Sequence, residues 1–347
     1  QRMRFAIPLL LAAGLAFAAP DDDWNAIVAM DAGPGAKPKN LQEARAIAKA
    51  HLAEQEKLVS EFLAKNPADP RSHEARMRLA SLIAASGKMD GKQSQVDEAM
   101  RSLQLLEKEK SAPAAVRAES GFRRVSLLMQ SLQGQETERR RDLIAAARNF
   151  QARYPGDRRG PRLLVEVATI CDNVPPLKRE LLEEARSLSS EPALNQRIAD
   201  DLKRLELLDK PLKLEFSTLQ GRNFDLAAQR GRIVLLVFWA SDSLPSLLWI
   251  EGFRHALAKL PADKLAIATV CLDQNKAPVA EVMEGLGIST WPTACDGEGW
   301  KSPLVRDFGV NALPTVFLFD QKGTLRAINA KNSYESWIRK LLVEKGY

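Results

Sequence analysis

Residues 232–248 have the sequence RIVLLVFWASDSLPSLL, and this stretch decides the fold of the C-terminal part of the chain. The run 233–239 is apolar, uncharged and partly β-branched, which is typical of a strand that is buried on both faces. A short polar turn follows, and a Leu-rich segment of helical character comes after the turn. The order of strand, turn and helix predicts the start of a βα unit.

The Phe-Trp-Ala triplet at 238–240 resembles the active-site segment of the TlpA-like/redoxin (AhpC/TSA-related) thioredoxin-fold family. In that family two spacer residues separate the triplet from a Cys-x-Pro-Cys motif that opens a helix. Here the spacers are residues 241–242, and the four motif positions hold Ser243, Leu244, Pro245 and Ser246. The resemblance covers residues 212–347 and implies an α/β thioredoxin fold with thiol-disulfide oxidoreductase ancestry.

The two serines remove the chemistry that the family performs. Dithiol exchange needs one thiolate to attack a disulfide and a second thiol to resolve the mixed disulfide. A serine hydroxyl does neither. Many relatives also carry an acidic or amide residue two positions before the tryptophan, where this chain has Val237. We therefore expect no intact catalytic residue at Ser243 and Ser246, and no cofactor.

The resemblance also implies a peptide-binding groove at this end of the domain. A proline preceding a β run, Pro314, matches the family's cis-proline opposite the motif. We expect an extended peptide or a protein to bind there, partly by strand addition. The residues predicted to line the groove are Trp239, Leu244, Pro245, Leu313 and Pro314. An alternative interpretation makes Trp239 a buried scaffold residue.

Three cysteines leave one alternative chemistry open. An odd number in an exported protein leaves at least one thiol unpaired. Cys271 ends a predicted strand and Cys295 lies in an inserted segment, so the two could approach and act as displaced redox thiols in an active oxidoreductase or antioxidant protein. Packing as small apolar residues is the simpler expectation. A serine nucleophile would lack a base, since His255 is twelve residues from Ser243, and the three scattered histidines predict no metal site.

The segment 41–210 predicts an all-α domain of helical hairpins. Helical spacing of apolar residues, broken by Pro, Gly and Asp, predicts one helix from residue 41 to the Pro-rich turn at 66–70 and further helices at about 72–85, 95–110, 112–132, 137–154, 161–171, 176–189 and 192–208. FLAKNPADPR at 62–71 aligns with FQARYPGDRR at 150–159. These segments weakly resemble degenerate tetratricopeptide-type repeats; a helical bundle is the alternative.

The N-terminus predicts export. Residues 4–18 combine Arg4, an apolar run and a small-x-small site, so we expect a signal peptide at 1–18, cleavage before Ala19 and no stable membrane anchor afterwards. The predicted organisation is leader 1–18, linker 19–40, helical domain 41–210 and thioredoxin-like domain 211–347. The net charge of +6 is spread along the chain, which argues against a nucleic-acid partner. The oligomeric state is not indicated.

Overall fold

In the computed structural model, the structure describes residues 20–344 except 37, 39, 132–135 and 258–259. The predicted leader, 1–18, lies outside the described residues. The chain divides into two compact units, Gln1–Tyr154 and Pro155–Tyr347. Among the described residues, no helix has both the length and the apolar character needed to cross a bilayer.

The first unit is all helical. Consecutive helices pack against each other along the chain, as expected for helical hairpins. The helices are α1 Pro20–Ala29, α2 Leu41–Lys65, α3 Ser72–Asp90, α4 Gln93–Lys108, α5 Ala114–Gln130 and α6 Glu136–Arg153. The side chain of Asn40 caps α2 by accepting a hydrogen bond from the Glu43 N–H at 2.8 Å.

Two sequence expectations for this unit need correction. Residues 20–29 lie in the predicted linker but form α1, because Ile27 is buried and Trp24 packs on Phe62 with ring centroids 5.2 Å apart. Helix α3 was expected to end near 85, yet it continues to Asp90. Gly87 does not end the helix, because α3 continues through it to Asp90. A Cβ on Gly87 would lie 2.8 Å from the Cβ of Gln95. The glycine allows α3 and the start of α4 to approach closely.

The two aligned segments form the same local structure. Phe62 and Phe150 are both buried near the ends of their helices. In the turns that follow, the backbone N–H and the guanidinium of Arg71 bond to Asp69, and Arg159 bonds to Asp157 in the same way. The hydrogen bonds from Arg71 lower the pKa of Asp69 to about 2. The sequence match therefore reflects a repeated helix-end turn.

The second unit opens with three helices, α7 Arg159–Thr169, α8 Pro175–Leu188 and α9 Pro192–Leu207. Two hydrogen bonds join helix α9 to the loop before Pro314. Arg204 Nη1 donates to Asn311 Oδ1 at 3.2 Å, and Asn311 Nδ2 donates to Asp201 Oδ1 at 3.3 Å. Secondary structure changes from helix to strand near the predicted boundary of 210/211. The compact unit nevertheless includes the helices before it.

A five-stranded sheet forms the core of the second unit. Its order is β5-β4-β3-β6-β7, with β3 parallel to β4, β4 parallel to β5, and β6 antiparallel to both β3 and β7. The strands are β3 Ile233–Trp239, β4 Leu265–Cys271, β5 Thr293–Ala294, β6 Thr315–Phe319 and β7 Leu325–Ala327. A separate antiparallel hairpin pairs β1 Glu215–Ser217 with β2 Asn223–Asp225. Every residue of β3 is buried, which confirms the expected central strand and α/β thioredoxin-like fold.

Helices cover the sheet and complete the core. They are α10 Leu244–Leu257, α11 Val279–Gly285, α12 Pro303–Asp307 and α13 Tyr334–Val343. One face of β3, carrying Leu235 and Val237, belongs to a buried cluster with Phe253 of α10 and Ile338 of α13. Each such buried side chain contributes roughly 1.5–3 kcal/mol of hydrophobic stabilisation. This packing fixes where β3 ends and α10 begins, and hence the position of the motif.

Candidate functional site

The motif turn, residues 240–246, joins the buried strand β3 to α10. The Ser243 N–H donates to the Ala240 carbonyl at 3.2 Å, and the Ser243 carbonyl accepts the N–H groups of Ser246 at 2.8 Å and Leu247 at 3.0 Å. Ser243 therefore lies immediately before the first turn of α10, where unpaired N–H groups and the helix dipole favour negative charge. In a thiol protein this position would stabilise a thiolate.

The two motif serines bind each other. Ser246 Oγ donates to Ser243 Oγ at 2.9 Å, and Ser246 is fully buried while Ser243 is partly exposed. His255 is exposed on the same helix, twelve residues on and thus about 18 Å along the axis from Ser243. It cannot act as a base for Ser243. The pair is a satisfied polar contact without an activated nucleophile.

Asp273 anchors the motif turn and is the residue that sequence reasoning missed. Its Oδ1 accepts the Ser241 N–H at 2.8 Å, and its Oδ2 accepts the Ser241 hydroxyl. Asp273 lies just beyond β4, which runs parallel to β3. The sequence does contain a pattern that could have predicted this contact, because an acidic residue follows the predicted strand β4. The carboxyl ends of neighbouring parallel strands meet at one edge of the sheet.

The position of the family's buried relay group is apolar in this chain. Val237 is fully buried and lies opposite Thr269 of β4 and Val316 of β6 in the sheet register. Thr269 is already engaged, because its hydroxyl and that of Thr293 are 2.8 Å apart. None of these side chains can carry a proton to or from the motif serines as a carboxyl group would.

The loop before β6 meets the motif end of β3. The register pairs Phe238 with Thr315, so Pro314 lies beside the end of β3. The Leu313–Pro314 peptide bond is cis. Leu313 is partly exposed and Pro314 is buried. Within the described residues, Leu313 takes part in no backbone hydrogen bond outside the regular elements.

The predicted groove residues differ in how much of each side chain faces solvent. Leu244 is 63% exposed, and Leu248, one helical turn further along α10, is 60% exposed. We call these two side chains the Leu244 patch. Pro245 is also exposed. Trp239 is fully buried against Ile250 and Cys271, so in this structure it supports the turn from beneath, which favours the scaffold interpretation.

Cys271 and Cys295 come together, as the sequence allowed. Both are buried with free thiols, and they belong to the same buried cluster as Trp239. Interaction with the Cys295 thiol, together with burial, raises the pKa of Cys271, and interaction with the Cys271 thiol lowers the pKa of Cys295. When protonated, Cys295 donates to the Asp273 carbonyl at 3.7 Å. Cys171 is buried near the end of α7 and donates to the Val167 carbonyl.

Comparison with known proteins agrees with this topology. Residues 207–328 match the AhpC/TSA family. The C-terminal region is a redoxin-type, thioredoxin-like domain. It is similar to thioredoxin-like protein YneN of Bacillus subtilis (29% identity over 115 residues) and to sporulation thiol-disulfide oxidoreductase A of the same organism (25% over 118 residues). These alignments cover 32% and 33% of this chain, and 64% and 68% of the two relatives.

Solved structures of thiol-disulfide oxidoreductases also align with this redoxin-type domain. A thiol-disulfide oxidoreductase from Bacteroides fragilis aligns with 37% of this chain and 96% of its own, at 20% identity and a TM-score of 0.33. A thiol:disulfide interchange protein from Chlorobium tepidum aligns with 39% of this chain and 96% of its own, at 18% identity and a TM-score of 0.34. These alignments leave about three fifths of this chain uncovered.

Proposed function

We propose that the redoxin-type domain binds an extended peptide or a protein at its motif end, where the two serines carry out no redox chemistry. The observation that carries this proposal is the Ser243–Ser246 contact. The two positions where the family places its thiols hold hydroxyls that satisfy each other. Disulfide exchange requires sulfur at both positions, whereas strand addition requires only backbone groups and apolar pockets.

The surface around the motif supports a binding role. The Leu244 patch exposes two large apolar side chains on neighbouring turns of α10. Single exposed leucines are common on soluble proteins, but this pair lies at the end of the domain that also holds Leu313. Burying both leucines under a ligand would remove apolar area from water at about 25 cal/mol per Å². The ligand class is therefore a peptide with apolar side chains, bound without redox dependence.

A binding assay with one charged substitution tests the proposal. The probe is a fluorescently labelled insulin B chain, reduced and alkylated so that it carries no thiol. We expect Leu244→Asp to weaken its binding by about tenfold, which corresponds to about 1.4 kcal/mol, when measured by fluorescence anisotropy. Because Leu244 is exposed, the fold should be unaffected.

The matched control is Leu105→Asp in α4, where the leucine is 71% exposed but lies in the first unit. This variant should bind as the unaltered protein does. Equal weakening by both substitutions would indicate non-specific apolar adsorption and would refute the site. Complete absence of binding by the unaltered protein would refute the function with this class of ligand.

We further propose that the protein is exported and acts in the cell envelope. Support comes from the basic and apolar character of residues 4–18 and the small-x-small site that ends there. N-terminal sequencing of protein isolated from its native cells should give Ala19 as the first residue. Recovery of the chain with residues 4–18 still attached would count against cleavage.

A further inference from the structure

A second pair of thiol positions lies on the sheet itself, away from the motif serines. The parallel register of β4 and β5 pairs Thr269 with Thr293 and Val270 with Ala294. Continued by one residue beyond the end of β5, the same offset would place Cys271 opposite Cys295. Side chains alternate between the two faces of a strand, so the cysteines share a face with the two threonines, whose hydroxyls are 2.8 Å apart.

The spacing of neighbouring strands suits a bond between the two cysteines. Strands in a sheet lie about 4.8 Å apart, and disulfides join residues whose Cα atoms are roughly 4.4–6.8 Å apart. Both side chains already pack in the same buried cluster. Oxidation would therefore require only a local adjustment of the two side chains rather than movement of an element.

The environment makes the two thiols unequal. Interaction with the Cys271 thiol lowers the pKa of Cys295, and the nearby charge of Lys276 acts in the same direction. Burial and the carboxylates of Asp273 and Asp296 oppose that effect. The pKa of Cys271 is shifted the other way, because interaction with Cys295 and burial both raise it. Of the two thiols, Cys295 is therefore the one that loses its proton more readily.

Cys295 is 7% exposed and Cys271 is 2% exposed, and Cys295 is the one that borders a groove. It lines a groove of about 530 Å³, which we call the Cys295 groove. Phe216 and Leu219 line it from the hairpin side, Leu304 of α12 contributes a further apolar wall, and Lys276 supplies a cation. Cys271 is not among the lining residues and lies behind Cys295. An outer nucleophile with an inner second thiol is the order that a dithiol exchange requires.

We propose that Cys295 and Cys271 form a dithiol site that exchanges with a low-molecular-weight disulfide entering the Cys295 groove. The Cys295 thiolate attacks one sulfur of that disulfide, forms a mixed disulfide and releases the other sulfur as a thiolate that takes up a proton. Cys271 then loses its proton and attacks Cys295 Sγ, which expels the second small thiol. Two protein thiols are oxidised, and one small disulfide is reduced to two thiols.

Oxidised glutathione is the probe that tests this site. Reduced full-length protein is incubated with it without denaturant, free thiols are alkylated, and the peptides are mapped by mass spectrometry. We expect the peptides containing Cys271 and Cys295 to become joined while Cys171 stays free for alkylation after unfolding. In Cys271→Ser the reaction should stop with glutathione attached to Cys295, and in Cys295→Ser neither remaining cysteine should react.

Cys171→Ser is the matched control, because Cys171 is also buried but lies apart from the pair, and it should react as the unaltered protein does. The proposal is overturned if Cys171 reacts at the same rate as Cys295, if no link forms in the unaltered protein, or if Cys271→Ser traps no glutathione. If a variant fails to fold, the proposal is tested by whether the Cys271–Cys295 disulfide forms in the unaltered protein.

Binding of the alkylated insulin B chain by Cys295→Ser separates this dithiol site from the peptide-binding function. The dithiol site does not depend on that function, so the variant should retain binding. The failure of Cys295→Ser to react with oxidised glutathione and its retained binding of the insulin B chain are measured in separate assays, so each result can be obtained without the other.

Discussion

Ser241 is tied to Asp273 through both its backbone and its hydroxyl, and this contact holds the motif turn against the end of β4. Sequence reasoning identified the turn from residues 238–246, because the strand, triplet and proline lie within one short stretch. The partner of Ser241 is 32 residues away, so only the folded sheet reveals it. The buried state of Trp239 is equally a product of packing, since its indole lies beneath the turn against Cys271.

Removing the Asp273 carboxylate should loosen the motif turn. We expect Asp273→Ala to lower the free energy of unfolding by about 1–3 kcal/mol, because two hydrogen bonds to a charged acceptor are lost and the Ser241 N–H is left unpaired. The urea midpoint measures the effect. Asp242→Ala is the control, since Asp242 is exposed in the same turn and should shift the midpoint little. Equal shifts in both variants would contradict the anchoring role.

At the scale of elements, the start of α10 keeps the geometry of a redox helix. Ser243 precedes the helix, and Ser246 lies within its first turn with its hydroxyl in contact with that of Ser243. Hydrophobic spacing predicted β3, α10 and the order of the later strands well, because each has a strong local pattern. Helix ends were predicted less well. The interior glycine of α3 resembles a helix stop in sequence, and only its contact with Gln95 shows its packing role.

Restoring sulfur at both motif positions should restore family chemistry. We expect Ser243→Cys/Ser246→Cys to reduce insulin with dithiothreitol as the electron source, because the first thiol would meet the N-terminus of α10 and the second would lie within reach. Turbidity of precipitating insulin B chain reports the rate. Ser243→Cys alone provides the control, since it lacks a resolving thiol at the motif and should remain near background. A double variant that folds and stays silent would show that more than the thiols has been lost.

At the scale of the whole molecule, the helices α7–α9 belong with the sheet. Sequence composition changes near 210, but composition cannot report where a helix packs. The contacts that decide this join Arg204 to Asn311 and Asp172 to Asn329 across more than a hundred residues. The aligned turns at 62–71 and 150–159 were visible in the sequence, because a short Asp-x-Arg pattern specifies its own hydrogen bonds.

Two fragments test which part of the chain folds as one unit. We expect 155–347 to unfold cooperatively, and 211–347 to melt several degrees lower, because the latter loses the contacts of α9 with Asn311 and the carbonyl of Arg306. Circular dichroism on heating measures both. Arg204→Ala in the longer fragment should lower its melting temperature in the same direction. Identical melting of the two fragments would place the functional boundary near 210 after all.

The contact between Ser243 and Ser246 has an evolutionary consequence. Most serine codons become cysteine codons through a single base change, so sulfur could return to each position without an intermediate residue of another size. Because the turn, the helix start and the Asp273 anchor are all still in place, neither step would require the backbone to be rebuilt. Two single-residue changes would therefore be enough to place sulfur at both motif positions on the backbone as it stands.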